Sequence, residues 1–511
     1  MNGTVLGNAE SIRYFLPEIV LVGTILAVIA FELFAGRGRA TDPPTAIGRR
    51  SPVCDGTLAI GILGVAGSLA ALLSLGYEGP LLLFEGAIAW DPFSVFFRWF
   101  SLAVAAAVLL IAHPYRPLVS LHHGEFVSLV VGTAFGMMLL ASSTNLLLVY
   151  LALEMVSLPS YILAGFLRGD RRSSEAALKY AVYGAAASGA MLYGLSFLYG
   201  MTGSIGFFEM REAIAGGEIP VVHLLVPIVL VLAGFGYKIA AVPFHMWAPD
   251  VYEGSATPIT AFFSVGPKAA GLAVLIRFFH SVFAAGGEDS LRVIGSVDWT
   301  LVLGILSAIT MTLGNLAAIP QDNLKRMLAY SSIAHAGTML MGAVVLGGSG
   351  VHAILFYLVV YAFMNLGAFL VVIAISIDKR RETIADFRGL GWKMPFLGVS
   401  MTVFLLSLTG MPPTAGFVAK FAILRALIEE EIYWLAVVGV LNTVVSLYYY
   451  ARVIKAMFLD PPDPAEPGVP SLSRIHILLI VLFLVPTILF GFRFGVLDAV
   501  AAASRSLVAG P

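Results

Sequence analysis

The sequence predicts an all-α polytopic membrane protein of about fourteen transmembrane helices, and three observations carry that prediction. The 511 residues are 59% hydrophobic and 12% charged, with a mean hydropathy of +0.92. Soluble domains hold about a quarter charged residues. The apolar residues gather into stretches of about 20, long enough for a helix to cross a bilayer. Lysine and arginine concentrate in alternate connections between those stretches, as the cytoplasmic sides of membrane proteins require. With only short segments between the stretches, residues 1–511 read as one integral membrane domain.

The first three stretches, 14–35, 57–76 and 91–112, form an N-terminal group within 14–125. The polar start MNGTVLGNAESIRYFLPE carries only Arg13 and lacks a basic n-region, so it does not read as a cleaved signal peptide. Helices four to eight follow at 126–141, 144–167, 175–200, 222–245 and 257–281. The boundary between the fourth and fifth falls near Ser142-Ser143-Thr144. Helices nine to thirteen occupy 299–318, 324–346, 352–376, 396–428 and 432–457, and the last helix 475–493. GGSG at 347–350 lies between apolar helices and reads as a turn rather than a nucleotide loop.

Two helices carry breakers. The seventh runs into Pro243, Pro249 and Pro258, and the twelfth contains Gly410, Pro412, Pro413 and Gly416 within a stretch too long for one straight span. Paired interrupted helices in corresponding positions mark internal repeats and a transport site. The units would be helices 4–8 (126–281) and 9–13 (299–457), which run in opposite senses across the membrane and so form an inverted repeat.

The odd-numbered connections hold Arg37, Arg39, Arg49, Arg50, Arg116, Arg168, Arg171, Arg172, Lys325, Arg326, Lys379, Arg380, Arg381, Arg388, Lys393, Arg452, Lys455 and Arg474. The even-numbered ones hold Arg211 and Arg292 among acids such as Glu78, Glu85, Glu209, Glu288 and Glu429 to Glu431. Both termini are therefore expected on the outer, periplasmic side of a cell inner (plasma) membrane.

Few charges remain inside the helices. Arg98, Arg277 and Arg425, near predicted helix ends, read as snorkelling or lipid headgroup contacts, and Glu18 and Glu32 sit near the two ends of the first helix. Glu154, Lys179, Lys238, Lys268 and Lys420 resist that reading. Glu154 is near the midplane of the fifth helix, and Lys238 and Lys268 flank the turn around Glu253 at similar depth. Lys420 falls beyond the break in the twelfth. Burial disfavours a lysine's ammonium form and a nearby carboxylate restores it, so a Glu154–Lys238 pair could set the protonation of the next lysine. The stretch from Gly234 to Gly271 thus reads as the middle of a proton path. His245 reads as a relay or as a cap on the broken helix, and His335 as a relay or as a partner to a neighbouring helix. Lys179 reads as a proton-uptake group or as the i,i+4 partner of Glu175.

LEMVSLPSYILAGF (153–166), EAALKYAVYGAAASGAMLYGLSFLYG (175–200), YKIAAVPFHMWAPDVYEGSATP (237–258), GNLAAIPQDNLKRMLAYSSIAHAG (314–337), YAFMNLGAF (361–369) and LTGMPPTAGFVAKF (408–421) together carry a resemblance. The chain resembles the antiporter-like membrane subunits of proton-pumping NADH-quinone oxidoreductase, respiratory complex I. Within that family, DVYEG and the lysine at Lys420 favour the bacterial subunit N branch over its sisters. The resemblance implies Glu154 and Lys238 as the coupled pair, Lys268 as the central relay and Lys420 as the terminal one. It implies flavin, iron–sulfur clusters, NADH and quinone on partner membrane and peripheral subunits, with no cofactor or metal on this chain. Thr338 departs from the family's tyrosine at that position, and the basic 36–56 region matches least.

The single cysteine, Cys54, excludes an internal disulfide and a thiolate-ligated cluster, and a net charge of −1 argues against a nucleic-acid partner. Two other classes stay open at this stage. One is a subunit of a multisubunit cation/proton antiporter or membrane-bound hydrogenase. The other is a stand-alone transporter of an organic solute, for which a row of lysines is a poor binding site.

Overall fold

A computed structural model describes residues 3–36, 52–77, 79–115, 118, 123–216, 219–283, 299–345, 347–376, 382–462 and 474–492. Arg37, Arg39, Arg49, Arg50, Glu78, Arg116, Glu288, Arg292 and Lys379 to Arg381, all used in the charge alternation, lie outside the described residues. Every predicted span is present as helix. After the short α1 (Asn8–Tyr14) come α2 (Leu16–Gly36), α3 (Pro52–Leu75), α4 (Pro92–Ala112), α5 (His123–Ser142), α6 (Leu146–Ala164) and α7 (Arg171–Thr202). A connecting helix α8 (Phe207–Ala215) leads to α9 (Val221–Ile239), the half-helix α10 (Trp247–Gly254) and α11 (Thr257–Phe283). Then follow α12 (Trp299–Ala318), α13 (Leu324–Val345), α14 (Gly348–Ser376), the short α15 (Leu390–Lys393), α16 (Pro395–Thr409), α17 (Ala415–Glu429), α18 (Tyr433–Phe458) and α19 (Arg474–Phe492). Thirteen of these are long and apolar enough to cross a membrane; α16 is apolar but shorter, and α17 follows it after the interruption at Gly410.

The local chemistry explains the boundaries. Asp91 caps α4 through a capping box with Ser94, with Pro92 at the first helical position. Asn145 caps α6, which fixes the break from α5 at residues 143–145. The connection between α3 and α4 holds a small sheet. β2 (Leu81–Leu83) pairs antiparallel with β3 (Ile88–Trp90) and parallel with β1 (Thr4–Val5). Phe84, Glu85 and Gly86 turn the hairpin with φ of 51°, 57° and 94°. We call this face the sheet side and the opposite one the loop side.

α11 is buried along its whole length, with α13 and α14 beside it, while α2 and α19 expose most of their surface. The lysines thus stand on or against the most enclosed helices. Helix ends fall at both positions where breaks are expected. α9 ends where Ala240 takes the left-handed conformation (φ 60°), and α16 ends at Gly410 (φ 87°). Backbone groups freed in a membrane need partners. At the first break, Trp247 Nε1 donates to the Tyr237 carbonyl (3.0 Å) and Val242 N–H donates to Thr310 Oγ1 (3.1 Å). At the second, Gly416 N–H donates to Ser407 Oγ (3.1 Å), and a Cβ on Gly416 would sit 1.8 Å from the Ser407 carbonyl oxygen. Only glycine permits that approach.

Arg98 and Arg277 correct the snorkelling expectation. Both are fully buried: Arg98 Nε bonds Glu18 Oε1 at 2.7 Å, and Arg277 forks onto Asp91 at 2.8 and 2.9 Å. Neither has lipid to reach, because α11 is enclosed and α4 turns Arg98 towards α2. Arg425 is exposed and paired with Glu429, one turn on, at 2.7 Å.

Candidate functional site

A line of ionisable and hydroxyl side chains crosses the interior from α6 to α18. Lys238, in the last turn of α9, is fully buried and donates through Nζ to Ser157 Oγ on α6 (2.8 Å). Glu154, three residues earlier on α6, is half-buried and makes no ion pair with Lys238. The expected direct pair is therefore replaced by a serine contact, with Glu154 on α6 three residues before Ser157. Glu154 shares α6 with Leu151, Met155 and Leu158, all exposed, so the helix turns that face outward.

α11 crosses α9 closely at this point. A Cβ on Gly271 would come within 2.9 Å of Lys238 Cγ, so glycine sets the contact. One turn earlier on α11, Lys268 donates to Ser332 Oγ on α13 (2.6 Å), and Tyr361 Oη on α14 donates to the same oxygen (2.8 Å). The Lys268 ammonium also stands 5.5 Å from the centre of the Tyr252 ring, a cation–π distance. Between Lys238 and Lys268 no side-chain hydrogen bond bridges the gap among the described residues.

His335 continues the line from α13. Its Nδ1 is 2.6 Å from Tyr357 Oη, its Nε2 is 3.3 Å from Tyr450 Oη, and its ring centre is 5.1 Å from that of Tyr361. Tyr450 Oη in turn makes a very short contact with Ser331 Oγ. His335 also faces a small polar cavity shared with Lys420, Asn315, Asn442 and Thr443, with about 10 Å³ open to water centres. That is room for roughly one water molecule. On its far side Lys420 donates to the Thr409 carbonyl (2.8 Å), a free acceptor at the broken end of α16, and approaches Thr443 Oγ1 at 3.5 Å. Thr338 lines the same cavity, and its hydroxyl donates back to the Ala334 carbonyl of its own helix (3.2 Å).

Lys179 and His245 stand apart from the line. Lys179 pairs with Glu175 (2.8 Å) and with Asp250 of α10 (2.6 Å). The i,i+4 pair is real, and a second carboxylate joins it. Asp250 also accepts from Arg326 of α13 (2.5 Å), whose guanidinium reaches Glu253 at 3.1 Å. One aspartate thus fastens the half-helix to α7 and α13 on the loop side. His245 is buried in the turn without capping the end of α9, which Trp247 serves instead, and its Nδ1 has no hydrogen-bond partner.

Burial pushes the Asp250 carboxyl up, but bonds from Lys179 and Arg326 hold it below the usual carboxylate range. A depressed folded value stabilises the clamp above the unfolded value and is lost as pH falls through the folded one. Protection of residues 247–254 against hydrogen exchange, relative to the intrinsic rate, is therefore expected to fall once the pH is below the ordinary carboxylate range. Asp250→Asn should lack that protection at every pH, and a wild-type profile in that variant would contradict the clamp.

Sequence reasoning missed Ser157, Ser332, Tyr357, Tyr361, Tyr450 and Asn315. A signal existed in spacing: Ser331, Ser332 and His335 share one face of α13, as Tyr357 and Tyr361 share one of α14. Among the described residues no group of three His, Cys, Asp or Glu side chains is arranged to hold a metal ion.

Comparison with known proteins gives concordant matches. A sequence model described as "NADH:quinone oxidoreductase/Mrp antiporter, TM" matches residues 143–446. "NADH-quinone oxidoreductase subunit N 2" of Sorangium cellulosum is 45% identical over 99% of this chain and 100% of its own length. "NADH-quinone oxidoreductase subunit N" of an Anaeromyxobacter species is 44% identical over 95% and 94%. Among solved structures, a chain of respiratory complex I from Thermus thermophilus superposes with a TM-score of 0.77 at 33% identity, covering 95% of this chain and 99% of that one. A chain of the Mrp complex from Dietzia reaches 0.76 at 19% identity, over 96% and 97%, a likeness of fold alone.

Proposed function

The chain belongs to the NADH:quinone oxidoreductase/Mrp antiporter transmembrane family and is a proton-translocating membrane subunit of an NADH-quinone oxidoreductase, and we propose that its protons travel along Lys238, Lys268, His335 and Lys420. Electron transfer, with its flavin, iron–sulfur clusters, NADH and quinone, belongs to partner subunits, peripheral and membrane-bound, and sister antiporter-like subunits flank this chain. The membrane is the cell inner membrane, with both termini on the outer side and the loop side inward. Helices 4–8 and 9–13 act as inverted repeats, each built around one broken helix.

The observation that carries this reading is the His335 bridge. It stands between the Lys268–Ser332–Tyr361 group and the cavity below Lys420, with a hydroxyl on each ring nitrogen. A neutral imidazole has one donor and one acceptor nitrogen, so a proton arriving at one side can leave from the other. Glu154 acts from the far end. Lys238 is turned to Ser157, and closing a pair with the Glu154 carboxylate would stabilise the Lys238 ammonium. Opening it would favour passing the proton on. Lys179 serves the loop-side clamp in this scheme, and His245 has no step in it.

The test replaces Lys238, Lys268 and Lys420 by alanine in turn, in the assembled complex in vesicles. Pumping per quinone reduced is expected to fall in each. Coupled pumping at the normal ratio in all three would sink the relay.

A further inference from the structure

The link from α12 to α13, the turn at Ile384–Phe387 after α14 and the last turn of α18 meet on the loop side, away from the lysine line. They enclose a cavity of about 440 Å³. Three cationic side chains line it, Arg388, Arg452 and Lys455, against two carboxylates, Asp322 and Asp460. Two of the cations are answered inside the cavity: Arg452 Nη2 bonds Asp322 at 2.9 Å, and Lys455 faces Asp460 at 3.4 Å. Arg388 is exposed and has no hydrogen bond or ion pair to a described residue. Among the described residues the lining therefore carries one net positive charge, concentrated on a planar fork suited to phosphate oxygens.

The surroundings are those of a membrane boundary. Trp392, four residues beyond Arg388 on the short α15, is 72% exposed, with its indole nitrogen fixed on the Phe458 carbonyl (2.7 Å). Leu459, just past the end of α18, is 77% exposed. Tryptophan with its polar end anchored and its ring outward is the side chain of the headgroup layer. We propose that this cavity binds the phosphodiester of an anionic phospholipid headgroup, with Arg388 as its charge partner and Trp392 and Leu459 against the lipid body. The charge count selects the ligand. A phosphodiester brings one negative charge, matching the one surplus cation, whereas free phosphate near neutral pH carries between one and two and has no apolar part for Trp392. Basic pockets between helices on this side of a membrane take such headgroups. The proposal leaves the proton path untouched and is read out in lipid bound, not in pumping.

Native mass spectrometry of the full chain in detergent, titrated with phosphatidylglycerol, tests it. The wild-type chain should retain phosphatidylglycerol in preference to phosphatidylcholine, and Arg388→Gln should weaken retention about fivefold or more. Arg388→Lys should keep most of it, which separates lost charge from a damaged fold. Arg168→Gln, on an exposed pair with Glu125 elsewhere, should match wild type. Unchanged retention in Arg388→Gln would overturn the site. So would displacement of the lipid by an equal concentration of inorganic phosphate, or equal retention of phosphatidylcholine.

Discussion

Replacing Lys268 by arginine is expected to lower coupled proton pumping at least tenfold, as far as replacing it by methionine does. The two substitutions fail for opposite reasons. Methionine has no proton to carry. Arginine holds its proton at any pH a cell meets, so it keeps the positive charge of the site and loses the transfer. Lys268 is enclosed by α13 and α14 and donates to Ser332, so a charge retained there still finds its acceptor oxygen. A tenfold loss corresponds to about 1.4 kcal/mol on the limiting barrier, a lower bound for removing a required station. The alternative role for Lys268 is a fixed charge that tunes Lys238 and Lys420 at a distance. On that account arginine would pump almost normally and only methionine would fail, and that pattern would end the relay assignment. The larger guanidinium costs packing, so melting of the complex is measured alongside. Lys268→His, able to titrate, should recover part of the activity.

The helical, many-span architecture was legible because a bilayer enforces it: length, apolarity and the cost of buried charge leave the sequence few choices. The same cost exposed Lys238, Lys268 and Lys420. What it could not expose was rotation about each helix axis. Arg98 and Arg277 lie close to helix ends by count, which suits snorkelling, yet their faces turn inward to Glu18 and Asp91. Glu154 lies near mid-span by count, yet its side chain is half-buried and a serine takes its expected place on Lys238. Hydroxyl partners were hidden for another reason. Serine and tyrosine are tolerated throughout membrane helices, so Ser332 and Tyr361 gain meaning only when α11, α13 and α14 bring them to one oxygen.

The largest stability effect is expected from Asp91→Asn, about 3–5 kcal/mol. Arg277 joins three elements at one point: it forks onto Asp91 at the start of α4, and its Nε donates to the Ala141 carbonyl in the last turn of α5 (2.7 Å). That carbonyl has no partner within its own helix, and a cation there also answers the negative end of α5. Asparagine caps a helix as well as aspartate does, so the bond to Ser94 N–H (2.7 Å) should survive and the loss isolates the charge. A guanidinium at 0% exposure is then left without its counter-ion. The double variant Asp91→Asn with Arg277→Met should recover much of the loss, because the stranded charge is gone. Arg98→Met should cost less, since the Arg98–Glu18 contact is one hydrogen bond with both Arg98 Nη atoms and Glu18 Oε2 already unsatisfied. Its stranded carboxyl can also take up a proton, which Arg277 has no means to lose. Unfolding in mixed detergent micelles ranks the variants. Equal losses for Asp91→Asn and Arg98→Met, or a double variant no better than the single, would show that the fork contributes no more than an ordinary buried pair.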